Sequence, residues 1–196
     1  MSLVIRRELH MSRLTGLAES LARDLLFGLP RRWLHVSAAA LRARSASAIL
    51  SDHEAECLEA AAWLHDIGYS ELVAETGCHS IDGAAHLSRI QIPYRVCALV
   101  ANHSCAWREV ELRGLSSRLD AWKDELTVVR DALWWADMTT GPDGDAVEVH
   151  ERIAEIQARY GPEDLVTFFI RQAEPDLVGA VERTEARLKA AGVEFR

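Results

Sequence analysis

The chain has 196 residues, 49% hydrophobic and 27% charged, which fits one globular domain with room for a real core. A formal net charge of -8 excludes a general binder of nucleic acid or of anionic membrane surface. Lysine is confined to Lys123 and Lys189, so an anionic ligand must find its positive charge in arginines or in a metal.

The start, MSLVIRRELHMSRL, lacks the apolar run of a secretory leader. No later stretch offers about 18 uninterrupted apolar residues for a membrane span, so the expected setting is the cytoplasm. Residues 1–11 read as a tail. From Ser12 the spacing of Leu14, Leu17, Leu21 and Leu25 predicts a helix, closed by Gly28 and Pro30. Residues 31–49 predict a second helix, carrying His35. Ser51 or Asp52 caps a third, which runs through Cys57, Leu58, Ala61 and Leu64 to His65-Asp66 and stops at Gly68.

After a loop, Ser80 caps a helix through Ile81, Ala84, Ala85 and Leu87, and Pro93 opens another that carries Val96, Leu99, Val100 and His103. Residues 105–116 read as a loop with a short turn, and Leu119–Asp137 as a helix. Gly141-Pro142-Asp143-Gly144 marks a loop. Val147–Arg159, Pro162–Gln172 and Pro175–Ala191 predict three closing helices. No alternating strand pattern and no repeat stands out, so the expected fold is all-α and compact, with its site between helices. Cys57, Cys78, Cys97 and Cys105 form no C-x-x-C pair and read as reduced, partly buried thiols.

The residues with metal chemistry stand at helix ends. His65-Asp66 closes an apolar run, and Asp137 follows Leu133-Trp134-Trp135-Ala136, where a buried carboxylate needs a charge partner or a full set of hydrogen bonds. His35, His79 and His103 complete the candidate set. Imidazole nitrogens mixed with carboxylate oxygens suit Mn, Fe, Co, Ni or Zn better than Ca or Mg. Arg31 and Arg32, just before His35, are the candidate phosphate clamp, because a guanidinium fork matches phosphate geometry. Trp63 and Trp134 read as core. His10, His53 and His150 read as solvated, and His86 as a surface or supporting residue.

Arg32-Trp33-Leu34-His35, His65-Asp66-Ile67-Gly68 and Asp137 resemble the HD superfamily of metal-dependent phosphohydrolases. His79-Ser80-Ile81-Asp82-Gly83-Ala84 is similar to its "His, three residues, Gly, Ala" segment, and Val100-Ala101-Asn102-His103 to its His after an apolar run. The resemblance covers about residues 30–140. It implies an HD-domain-like helical bundle, read here as one domain over residues 12–196; the additional C-terminal helices, about 145–191, carry no motif of the family and read as packing that walls the pocket. In that family the order His, His-Asp, His, His, Asp marks a dinuclear site. The implied ligands are His35, His65, Asp66, His79, His103 and Asp137, holding one or two divalent transition-metal ions, with Asp66 bridging.

The resemblance further implies hydrolysis of a nucleotide or other small phosphate ester through a metal-activated water, with Asp66 and His65 at the reacting centre. The expected partner is that small phosphorylated substrate, with no nucleic-acid polymer and no membrane; a homodimer is allowed. Tyr69 stands where many members have Lys, and Asn102 where some have another His. No Gly-Tyr-Pro follows His103, which argues against the cyclic-di-GMP phosphodiesterase branch. Two other functions use the same residues: a di-iron oxygenase on the same ligand set, and a non-catalytic protein that binds a phosphorylated ligand.

Overall fold

A computed structural model of the chain describes residues 3–195, with side chains from Arg13 onward. Among the described residues every regular element is helical, and the one β-type pairing is an isolated bridge between Thr140 and Ala146. The α-helices are α1 (Leu3–Leu25), α2 (Pro30–Ser45), α3 (Asp52–Leu64), α4 (His79–Arg89), α5 (Tyr94–Ala101), α6 (Ala106–Leu112), α7 (Ser116–Leu119), α8 (Val128–Met138), α9 (Val149–Tyr160) and α10 (Leu165–Ala190).

Helix α3 is the axis. Ser51 and Glu54 close its N-terminus as a capping box, and Asp52 and Glu54 place negative charge on its first turn. From Cys57 onward its apolar residues are buried on every side, the mark of a central helix. Ala60, Ala61 and Ala62 keep it thin, so α1, α2, α5 and α8 all pack against it. Its end therefore lies inside the molecule, where the His65-Asp66 pair is shielded from water. Helix α8 is the second buried rod: Val129, Ala132, Leu133, Trp134, Trp135 and Ala136 fill the space between α3 and α10.

Several boundaries differ from the sequence expectation. The first helix begins at Leu3, within the expected tail, because residues 3–15 contain no Gly or Pro to stop it. Residues 106–112 form a helix where a loop is expected. The expected helix over 119–137 is broken: α7 ends at Leu119, and α8 starts only at Val128, after Leu126 in a left-handed conformation (φ 49°). Thr127 caps α8, its Oγ1 accepting the Val129 N–H at 3.2 Å.

Helix α5 ends at Ala101, so His103 lies in the following 3-10 turn rather than on the helix. Finally, the expected second and third closing helices are one. Pro175 sits inside α10, where Ala173 and Leu177 on either side are fully buried, and packing on α8 and α9 holds the helix through a residue that cannot donate to its own ladder.

Candidate metal centre

Four helices and one turn bring the six His and Asp residues to one place. His35 comes from α2, His65 and Asp66 from the end of α3, His79 from the first position of α4, His103 from the turn after α5, and Asp137 from the last turn of α8. Donor atoms of His35, His65 and Asp66 all lie within 4.8 Å of one another, and so do those of Asp66, His79 and His103. Asp66 belongs to both triads. Its Oδ1 is 3.7 Å from His65 Nε2 and 3.6 Å from His79 Nε2, while its Oδ2 is 4.0 Å from His35 Nε2. Asp137 adds to the first triad, its Oδ1 lying 3.1 Å from His35 Nε2 and 3.8 Å from His65 Nε2.

Backbone carbonyls set the imidazoles. His35 Nδ1 donates to Gly141 O at 3.1 Å, His65 Nδ1 to Ala62 O at 2.8 Å, and His103 Nδ1 to Val100 O at 2.6 Å. A neutral ring that donates through Nδ1 presents a bare Nε2 lone pair, the arrangement of a metal-ligating histidine. His35 Nε2 and His65 Nε2 face each other at 3.3 Å, and His79 Nε2 and His103 Nε2 at 3.1 Å. His35 Nε2, His65 Nε2 and Asp137 Oδ1 thus converge on one another, as donor atoms around a shared cation do. The nitrogen and oxygen donors around both triads are the set a divalent transition metal takes, so the residues present fit such an ion.

The charges agree. Burial penalises the Asp66 carboxylate, but Arg32 and the surrounding imidazoles outweigh it and hold its pKa well below the usual range. Burial likewise opposes the charge on Asp137, and the His35 hydrogen bond with His65 and His103 nearby pushes its pKa down. Burial, and then the neighbouring His103, lower the pKa of His79 to about 3. The centre at neutral pH thus offers ionised carboxylates and an uncharged His79.

Gly68 is what lets two of these segments meet. A Cβ there would stand 1.9 Å from the carbonyl oxygen of His79. Behind His79, buried Asp82 accepts the backbone N–H groups of Glu75, Thr76 and Gly77 and so ties down the loop that delivers the ring. Tyr69 stacks on His79, with ring centroids 4.2 Å apart, and the Arg32 guanidinium lies 3.8 Å over the other side of Tyr69. Burial first, with Asp66 and Tyr160 nearby, pushes the Tyr69 phenol well above its ordinary pKa despite Arg32.

The two candidate clamp arginines part company. Arg32 Nη1 donates to Asp66 Oδ2 at 2.7 Å and lines the cavity over the His/Asp cluster. Arg31 instead forms a two-bond pair with Asp143 at the surface and does not line that cavity. Trp63 and Trp134 are core, as expected, and Trp33 stacks on Trp63. Asn102 stays out of the cluster: its amide donates to Ala98 O and Trp122 O. His53 and His150 are exposed, and His10 lies outside the described side chains. All four cysteines are free and buried.

One feature is absent from the sequence reading. Ser104 donates its hydroxyl to Asp137 Oδ2, and both it (φ 46°) and Cys105 (φ 60°) are left-handed, a backbone cost met beside the cluster. Adjacency to His103 was the only available signal. The C-terminal helices do wall the pocket, as the sequence reading has them: α9 and α10 form the far side of the cavity, through residues that include Arg152, Ile156, Arg159, Phe169 and Ile170.

A family model described as HD domain matches residues 8–132, more than half of the chain. The match stops short of Asp137 and of both wall helices. No curated protein and no solved structure matches the chain.

Proposed function

Because the chain belongs to the HD-domain family, we propose that it is a metal-dependent phosphohydrolase that cleaves a small phosphate ester, with nucleotides the first substrates to try. The observation that carries this reading is the shared carboxylate: Asp66 joins a His35-His65 triad to a His79-His103 triad. His35, His65, Asp66 and Asp137 would hold one divalent ion, and Asp66, His79 and His103 a second. Such an ion supplies Lewis-acid charge beside a phosphoryl oxygen and makes water a better nucleophile at neutral pH.

The chain's own groups do the rest. Asp66, ionised and 3% exposed, is placed to accept a hydrogen bond from the attacking water and so to orient it. His65, held by Ala62 O, keeps its Nε2 fixed toward Asp66. Arg32 has five N–H donors and gives one to Asp66 in its closest pair, which leaves others for phosphoryl oxygens. Tyr69, in the position where many relatives carry Lys, contributes no charge; it braces Arg32 and His79 instead. Met138, Ile156, Phe169 and Ile170 give the cavity an apolar lining beside the reacting centre.

The test is phosphate release from a panel of nucleotides and phosphomonoesters by protein stripped with chelator and reloaded with Mn, Fe, Co, Ni or Zn. Elemental analysis is expected to find two ions per chain, falling to one when His79 and His103 are both replaced by Ala. Protein that holds metal yet releases no phosphate from any member of the panel would overturn the reading. The same shared Asp66 would also serve a di-iron oxygenase, so oxygen uptake by the iron-loaded protein belongs in the panel.

A further inference from the structure

Helix α9 turns one face to the cavity. Arg152, Ile156 and Arg159 line it, spaced four and three residues apart, as residues on one side of a helix are. Arg152 is 3% exposed, and its Nε has no hydrogen-bond partner among the described residues. A buried guanidinium is costly unless its charge and donors are met.

Glu155 is the carboxylate that meets it, taking Arg152 Nη1 at 2.6 Å, and the same Glu155 lies 3.5 Å from Arg159 Nε. One carboxylate thus serves two guanidiniums. Glu109 of α6, which lines the same cavity, is already paired to Arg113 at 2.7 Å. Arg159 also lines a small crevice with Arg31, Arg32 and His35, which sets it beside the Arg32 that pairs with Asp66. Ile156, Phe169 and Ile170 give the same cavity an apolar surface.

We infer that Arg152 and Arg159 form a second anion subsite, so that the substrate carries a second anionic group joined by an apolar span to the phosphoryl group at the His/Asp cluster. The inference rests on the phosphohydrolase reading above and narrows its substrate class. Two anions suit the subsite, a phosphate or a carboxylate, because both match the guanidinium fork. The subsite lies on a helix outside the stretch matched by the family model.

Calorimetric titration of the metal-loaded protein with three non-hydrolysable probes tests this: phenylphosphonate, para-phosphonobenzoate and para-phenylenediphosphonate. At least one of the two-anion probes is expected to bind about ten-fold or more tightly than phenylphosphonate. The tighter of the two identifies the second group. Arg159→Gln, on a partly exposed side chain, and Arg152→Gln are each expected to remove most of that advantage while leaving the phenylphosphonate Kd unchanged. Thermal melting shows whether Arg152→Gln still folds; Arg159→Gln carries the test if it does not. The inference is overturned if phenylphosphonate binds but neither second anion adds affinity, or if Arg159→Gln weakens all three probes equally. Failure of phenylphosphonate itself to bind would remove the phosphohydrolase reading, and this inference with it.

Discussion

At position 68 a methyl group would stand 1.9 Å from the carbonyl oxygen of His79 and 2.8 Å from its Cα. Those are backbone atoms, so relief requires moving the start of α4. Gly68→Ala is expected to destabilise the protein by about 1–3 kcal/mol in urea unfolding, as overpacking does. On the two-ion reading proposed above it should also reduce bound metal toward one ion per chain, because His79 is the candidate ligand displaced. Wild-type stability together with full metal content would contradict this account of the contact. At this scale the sequence was informative where chemistry and spacing coincided. His65-Asp66 before Gly, and Asp137 after two tryptophans, stand out because ionisable groups are rare in apolar runs. Ser104 could not be read, since a serine is unremarkable until its hydroxyl is seen on Asp137 Oδ2. Nor could the divergence of Arg31 and Arg32, neighbours in sequence, toward Asp143 and Asp66.

Among the elements, α10 most clearly breaks a local rule. A proline at an interior helix position forfeits a hydrogen bond and crowds the preceding turn, at a cost of about 3 kcal/mol. Pro175 is such a residue, ten positions beyond Leu165, yet α10 runs unbroken to Ala190. Pro175→Ala is expected to raise the unfolding free energy by about 1–3 kcal/mol, part of the gain being offset by the freer unfolded chain. A loss of stability would mean that the bend or the ring itself is needed by the packing. The same conflict explains why two closing helices were expected in place of one: local propensity called for a stop, and tertiary burial of Ala173 and Leu177 overrode it. The opposite error occurred over residues 119–137, where apolar spacing continued but Leu126 at φ 49° and the Thr127 cap interrupt the helix. Apolar spacing reports which residues are buried; it does not report where the backbone turns.

Across the whole molecule, Asp131 ties α8, the helix that carries Asp137, to the C-terminal wall. Its carboxylate, on α8, takes Arg183 at 2.8 Å and 2.9 Å and Arg187 at 3.2 Å, both from α10, and Arg130 at 3.1 Å. Burial raises the pKa of Asp131, but the three guanidiniums outweigh it, so the folded value lies below the ordinary 3.8. A depressed folded pKa means stabilisation that is complete above the unfolded value and is lost as pH falls through the folded one. Asp131→Asn is therefore expected to be less stable than the parent by about 1–3 kcal/mol at pH 7, a figure reduced from the fully buried case because Arg183 and Arg187 are part exposed. That gap should close as pH drops below about 4, near the unfolded carboxyl value. A gap that stays constant from pH 7 to pH 3 would show that packing, not charge, joins α8 to α10. The readout is urea unfolding across that pH range.

The all-helical class, the metal-type residues and their family order were determined by sequence alone, because apolar periodicity and donor chemistry are properties of short stretches. The tertiary structure decided what no stretch contains. It set Asp66 between two pairs of histidines, turned Arg31 away while keeping Arg32 on the cluster, and brought α9, outside the matched family region, to face the centre. Those outcomes depend on side chains far apart in the chain meeting across a core. Their distances follow from how helices pack and where their ends fall, and neither quantity is written in local spacing.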